Sequence, residues 1–295
     1  MTLGVRKLSY ALGAEIQGLD LRRPLDDRTA AEVRKIWLDN LVIVIRDQDI
    51  TPAQQVAFGR HFGPLDDHKS LPFYRLDDHP EIFLITNKIV KGKLSETKDT
   101  GRLWHSDHSF TTRPTMASAL YCKEIPEVGG DTLFTNMYMA YESLSAGMKK
   151  LLDGLEAVHD IRDYAPFRSR NPEQMAEMHR INPAVAQPVV RVHAETGRKA
   201  LYVSEALTFR FVGMTEDESR GLMQFLWRHS IRPEFTYRHR WRVGDLLMWD
   251  NRCTMHQAPA DYAPGQQRLM HRITILGTPS GRYYSEEPAV RLAAA

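Results

Sequence analysis

Any fold for this chain has to join two segments that lie far apart in sequence. Trp104-His105-Ser106-Asp107 and Trp249-Asp250-Asn251-Arg252-Cys253-Thr254-Met255-His256 together offer two imidazoles and one carboxylate. Such a set can hold one triangular face of a metal ion and leave the opposite positions open, the arrangement of non-haem Fe(II) oxygenases. If His105 and Asp107 lie on a strand, their spacing sends both side chains to one face of the sheet. His256 must then arrive through long-range topology. Taken alone, His-x-Asp is ordinary in a chain with 12 His and 37 acidic residues, and a surface histidine beside an acid is the plainer alternative. Two further elements bear on it, Gly129-Gly130-Asp131-Thr132 and Arg268-Leu269-Met270-His271-Arg272.

The chain between these motifs reads as mostly β with added helices. Leu41-Val42-Ile43-Val44-Ile45 is a short apolar run dominated by β-branched residues, the pattern of a buried strand. Phe235, Tyr237, His239 and Trp241 alternate with Thr236, Arg238, Arg240 and Arg242. This predicts a strand with an aromatic inner face and a solvated basic outer one, entering a hairpin through Val243-Gly244-Asp245 into Leu246-Leu247-Met248-Trp249. Helices are expected after Asp26 and Asp27, with Val33, Ile36 and Trp37 inward. Thr51-Pro52-Ala53-Gln54 is a capping signature with Gly63 as the stop, and Asn171-Pro172-Glu173-Gln174 repeats the pattern. Ser145 caps a segment burying Met148, Leu151, Leu152 and Leu155, and Thr215 caps one burying Leu222, Phe225 and Leu226. A β-sandwich of the jelly-roll kind suits this order, as a single domain over residues 1–295.

Composition excludes more than it identifies. A net charge of +2 and a pI near 8.5 give no general argument for nucleic acid or membrane partners. The Leu41–Ile45 run is far too short to span a bilayer, and no targeting segment is visible. Two cysteines, Cys122 and Cys253, are too few for a disulfide framework and fit a reducing cytoplasm. Thiolate is softer than an oxygen-activating set calls for, so Cys253 is expected to have no metal role.

With these motifs in order, the chain resembles the taurine dioxygenase family of Fe(II)/2-oxoglutarate-dependent oxygenases, which includes the enzymes that open phenoxyacetate herbicides. The likeness begins at Leu12-Gly13-Ala14-Glu15-Ile16-Gln17-Gly18-Leu19-Asp20-Leu21-Arg22 and passes through Phe62-Gly63-Pro64-Leu65. It continues through the Trp-His-x-Asp and Gly-Gly-Asp-Thr motifs and Gly197-Arg198-Lys199-Ala200-Leu201-Tyr202-Val203, and ends in Trp249-Asp250-Asn251-Arg252 and the paired arginines.

The resemblance implies a double-stranded β-helix with the metal near one open end. It makes His105, Asp107 and His256 ligands of Fe(II), and 2-oxoglutarate and O2 co-substrates. The far carboxylate of 2-oxoglutarate is expected at Arg268 and Thr132, and the anionic head of a small organic substrate at Arg272 and His68. Arg268 suits its role because its planar fork makes paired charge-assisted bonds to carboxylate. A turn residue is the plain alternative for Thr132, a salt bridge for Arg272 and a surface loop for His68. His108 is expected to face away from Asp107. Related halogenases lack the carboxylate, so Asp107 implies hydroxylation. Tyr164 and Leu207 stand where a small polar residue and a phenylalanine would fit the taurine pattern, and Gly101 replaces an asparagine. Taurine is therefore in doubt as the substrate. A zinc hydrolase and a non-catalytic anion-binding protein remain alternatives from the donor set alone. A homodimer or homotetramer is expected from the family.

Overall fold

The computed structural model describes residues 3–69, 71–95, 97, 100–161 and 171–285. Its centre is a seven-stranded sheet in the order Gly4–Lys7, Ala14–Gln17, Val42–Ile45, Leu246–Asp250, Thr115–Glu124, Leu269–Leu276, Phe83–Thr86. Every pairing in it is antiparallel except that of Ala14–Gln17 with Val42–Ile45.

Why Leu41–Ile45 is apolar throughout follows from what covers each face. Val42 and Val44 join Leu120, Cys122, Leu247, Trp249 and Met270 in one core cluster. Ile43 and Ile45 join Ala117, Ala119, Leu246, Met248, Ile273 and Ile275 in another. Alternate residues thus enter different cores, and the sheet is buried on both sides. The second core is closed by helices Asp27–Asn40 and Pro52–Arg60 through Val33, Trp37, Val56 and Phe58. Fully burying one such side chain contributes about 1.5–3 kcal/mol, so this strand anchors the sheet to both layers.

Facing the first core is a three-stranded antiparallel sheet ordered Thr236–His239, Thr132–Asn136, Thr254–Gln257. Phe134 of its central strand meets Trp249 of the large sheet with ring centroids 5.5 Å apart. The expected sandwich is therefore present. A further four-stranded sheet is ordered Thr208–Phe211, Glu156–His159, Val185–Pro188, Arg282–Tyr283.

The expected helix starts are present. Asp26, Thr51, Ser145, Asn171 and Thr215 each accept a backbone N–H as N-cap, and Thr51, Asn171 and Thr215 complete capping boxes. Three details differ. The helix beginning at Pro52 ends at Arg60, before Gly63. Leu151 and Phe225 are exposed, whereas their neighbours Leu152 and Leu226 are fully buried. The predicted hairpin does not form: Thr236–His239 pairs with Thr132–Asn136, while Leu246–Asp250 belongs to the other sheet. Arg238, Arg240 and Arg242 are exposed and Phe235, His239 and Trp241 buried, as the alternation required. The two cysteines are buried and unpaired. Among the described residues no helix is long and apolar enough to cross a membrane.

Candidate active site

The two distant motifs meet backbone to backbone. His105 and His256 exchange both main-chain hydrogen bonds, 3.1 Å from the His105 N–H and 2.8 Å from the His256 N–H. Their rings lie 4.2 Å apart between centroids. His256 sits on Thr254–Gln257, whereas His105 forms only this isolated bridge. The expectation that His105 and Asp107 share a strand is therefore corrected. The chain turns after the bridge, and His108 has a left-handed φ of 53°. Convergence comes from that turn and not from strand periodicity. His108 points its Nδ1 to the Thr115 hydroxyl at 3.1 Å and is outside the ligand cluster.

The ligand atoms of His105, Asp107 and His256 lie within 4.8 Å of one another, and all three residues are buried. Asp107 Oδ1 is 3.7 Å from His105 Nε2 and 3.9 Å from His256 Nε2. His105 donates Nδ1–H to the Leu103 carbonyl at 2.9 Å, which fixes the tautomer and frees the Nε2 lone pair. The other carboxylate oxygen of Asp107 accepts from the Ser118 hydroxyl at 2.6 Å. Asn251 completes the support by accepting from the Asp107 N–H at 3.1 Å and donating to Ser118 Oγ at 3.2 Å.

Electrostatics favour a cation here. Burial alone would raise the Asp107 carboxyl, but His256, Arg272 and His105 outweigh it and hold it below the usual carboxylate range. Burial first, then His105, depresses His256 to about 3, so its imidazole is neutral and able to coordinate. One buried carboxylate and two imidazoles form a donor set of intermediate softness that fits Fe(II).

One cavity contains the triad together with Thr132, Arg268 and Arg272. Arg268 immediately precedes strand Leu269–Leu276 and Arg272 lies within it, and both residues line this space. Arg268 is buried and has no ion-pair partner among the described residues; burial lowers its pKa from the ordinary arginine value. Its Nε donates to the Gly130 carbonyl at 3.2 Å. Arg272 Nη1 lies 3.8 Å from Asp107 Oδ1, its Nε is buried without a partner, and its guanidinium sits 5.0 Å over the Phe83 ring. Two cationic forks beside a metal set, that of Arg268 buried and that of Arg272 largely so, make a receptacle for carboxylates.

His68 stands outside the lining of that cavity. It is buried beside Phe83, at 5.0 Å between ring centroids, with a φ of 51° and Nε2 unpartnered. Burial and then Arg272 lower its pKa. It is thus a neutral neighbour of the Arg272–Phe83 pair, not the surface histidine of the alternative reading. Gly101 lines the cavity, and a Cβ there would lie 3.3 Å from His105 Cε1. Leu207 packs with Phe110, Ile161 and Ala206, while Tyr164 lies outside the described residues.

Ser118, Asn251 and Trp241 were not singled out as site residues from sequence. Asn251 belongs to a quoted motif, but Ser118 carries no local signal. A second buried group, His193, Asp250 and Cys253, is also compact enough for a cation. There Arg252 grips both oxygens of Asp250 at 2.8 and 2.6 Å. His193 uses Nε2 on Asp250 at 3.0 Å, and its Nδ1 accepts from the Glu195 and Thr196 N–H groups, each at 3.2 Å. Its lone pair is spent within the fold.

The family model described as "Taurine catabolism dioxygenase TauD, TfdA family" matches residues 4–274. An alpha-ketoglutarate-dependent 2,4-dichlorophenoxyacetate dioxygenase of Cupriavidus pinatubonensis is 32% identical over 289 residues, covering 94% of this chain and 98% of its own. An alkylsulfatase of Acinetobacter baylyi is 34% identical, covering 93% of this chain and 85% of its own. The crystal structure of AAD-2 in complex with Mn(II) and N-oxalylglycine superposes with a TM-score of 0.84 at 33% identity, over 95% of this chain and 99% of that one.

The jelly roll and its His-Asp-His centre define a 2-oxoglutarate-dependent dioxygenase, an oxidoreductase that uses Fe(II), 2-oxoglutarate and O2. The chain belongs to the TauD, TfdA family. Membership decides against the zinc hydrolase and the non-catalytic binder.

Proposed function

We propose that the protein hydroxylates a C–H bond of a small anionic organic molecule, a sulfonate or carboxylate, with His105, Asp107 and His256 holding Fe(II). Arg268 and Thr132 receive the far carboxylate of 2-oxoglutarate, and Arg272 with His68 beside it receives the anionic head of the substrate. The observation that carries this reading is that two arginines, the buried Arg268 and the largely buried Arg272, line one cavity with the buried triad.

Bound Fe(II) supplies the O2 activation that couples decarboxylation of 2-oxoglutarate, giving succinate and CO2, to insertion of one oxygen atom into the substrate C–H bond. The chain's own contribution is placement. Ser118 holds Asp107 Oδ2 so that Oδ1 faces the histidines. Arg272, kept in the cavity against Phe83, fixes the substrate by its charge so that one C–H reaches the reacting centre. Where the hydroxylated carbon bears an ether oxygen, a sulfonate, a sulfate ester or an amine, the product separates into a carbonyl compound and that leaving group.

The relatives that act on a phenoxyacetate and, by name, on alkyl sulfates support an anionic substrate. Two buried free thiols support a reducing cytoplasm, and the low net charge supports a partner list without nucleic acid or membrane. A homodimer or homotetramer of a single 1–295 domain completes the proposal. The test is succinate release with Fe(II), 2-oxoglutarate and O2 across sulfonates, aryloxyalkanoates, amino acids and alkyl sulfates. Stimulation by neutral compounds and by no anion would overturn the substrate class.

A further inference from the structure

Residues 258–267 connect the His256 strand to Arg268, and Asp261 in this connection reaches back to the Gly-Gly-Asp-Thr turn. Its Oδ1 accepts from the Gly130 N–H at 2.8 Å. The Gly130 carbonyl in turn accepts from Arg268 Nε at 3.2 Å. Arg238, on the exposed face of the neighbouring strand, donates to Asp131 Oδ2 at 2.7 Å and also to Asp261 Oδ2. Asp131 precedes Thr132, so both residues assigned to the far carboxylate of 2-oxoglutarate are tied to Asp261.

The glycines make this contact possible. Gly129 and Gly130 have φ of 84° and 72°, where an L side chain is strained. A Cβ on Gly129 would fall 2.0 Å from the Asp261 carbonyl oxygen. The connecting segment therefore rests directly on bare backbone.

A guanidinium on a free side chain must lose rotamer freedom when it binds a carboxylate, and holding it beforehand removes that cost. We infer that Asp261 is a positioning residue for 2-oxoglutarate. It latches the segment 258–267 onto Gly130 and, through the Gly130 carbonyl, sets the Arg268 fork before the co-substrate enters. The inference rests on the assignment of Arg268 to the far carboxylate. Arg238 is half exposed, so its ion pairs are screened and its share is the smaller one.

Two probes separate this role from general damage. N-oxalylglycine carries a second carboxylate that extends beyond the metal-chelating end, whereas oxalate chelates without reaching Arg268. Calorimetric titration of Mn(II)-loaded Asp261→Ala should show N-oxalylglycine binding about ten-fold weaker, the loss expected when one part-buried, charge-assisted hydrogen-bonded support is removed, with oxalate affinity unchanged. Asp261→Asn can still accept from the Gly130 N–H and should stay within about three-fold of wild type. Gly129→Ala, which forces the segment off the turn, should reproduce the Asp261→Ala pattern and serves if that variant does not fold. Wild-type affinity for N-oxalylglycine in Asp261→Ala, or in Gly129→Ala where it serves, overturns the latch, and so does an equal loss for oxalate. A wild-type protein that binds oxalate but shows no gain with N-oxalylglycine overturns the Arg268 assignment instead.

Discussion

Trp241 donates its indole N–H to the hydroxyl oxygen of Thr132 across 3.0 Å in a buried contact. With that oxygen already accepting, the Thr132 proton is left to be donated, the role a carboxylate ligand requires. Trp241→Phe keeps the ring and removes the donor. The KM for 2-oxoglutarate should rise about three- to ten-fold, the worth of one modest hydrogen bond, with kcat held at saturation. Thr132→Val should cost at least as much, and the double variant should cost no more than Thr132→Val alone. Additive losses in that cycle would mean the two side chains act independently.

Ser118 holds Asp107 Oδ2 at 2.6 Å, and the remaining donor to that oxygen, Asn251 Nδ2, is at 3.5 Å. Ser118→Ala therefore leaves the carboxylate nearly unsupported within a buried site. Metal affinity should fall about 10- to 100-fold, as when other orienting partners of ligands are lost. Titration with Mn(II) measures this directly. Unchanged affinity would show that the turn after His105 orients Asp107 unaided.

These two residues mark where sequence reading reaches its limit. Helix starts were legible because a cap is local: Thr51 and Gln54, or Thr215 and Glu218, complete their boxes within one turn. The metal set and both arginines were legible as motifs. Ser118 was not, because a serine between two alanines in a mostly apolar strand carries no mark of what faces it. The Val243-Gly244-Asp245 segment was misread for a related reason. Alternation gives the face of a strand but not its partner. Gly244 packs on residue Gln48, whose backbone oxygen would lie 2.9 Å from an added Cβ, and buried Asp245 pairs with Arg46 at 2.7 Å. Those contacts carry the chain from one sheet to the other instead of folding it back.

Arg272 has a sharper signature than Arg268. It lies 3.8 Å from Asp107 and its Nε is buried without a partner. Arg272→Ala should weaken apparent affinity for every anionic substrate, by about 2–5 kcal/mol where the lost contact is a buried charge pair, with the KM for 2-oxoglutarate near wild type. Arg272→Lys should recover only part, because an ammonium lacks the planar fork. Wild-type substrate KM in Arg272→Ala would remove it as the anchor.

Buried neutral histidines set the pH dependence of stability. Burial lowers His159 and His256 to about 3 and His271 to about 4, and lowers His68 as well. An unfolded histidine titrates near ~6.5, so between these values the unfolded chain binds more protons than the folded one. Stability from these groups is complete above about pH 6.5 and is lost as pH falls toward the folded values of about 3 to about 4, by up to about 1.4 kcal/mol per pH unit for each histidine that titrates fully. The depressed carboxyls of Asp107 and Asp250 act in a separate, lower window. Urea unfolding of metal-free protein should therefore show a lower midpoint at pH 5 than at pH 7. His159 Nδ1 bonds to the Ser109 hydroxyl at 3.0 Å, and the residue lies outside the triad. His159→Gln should flatten this dependence by about one proton's worth; an unaltered slope would mean that His159 takes up no proton on unfolding.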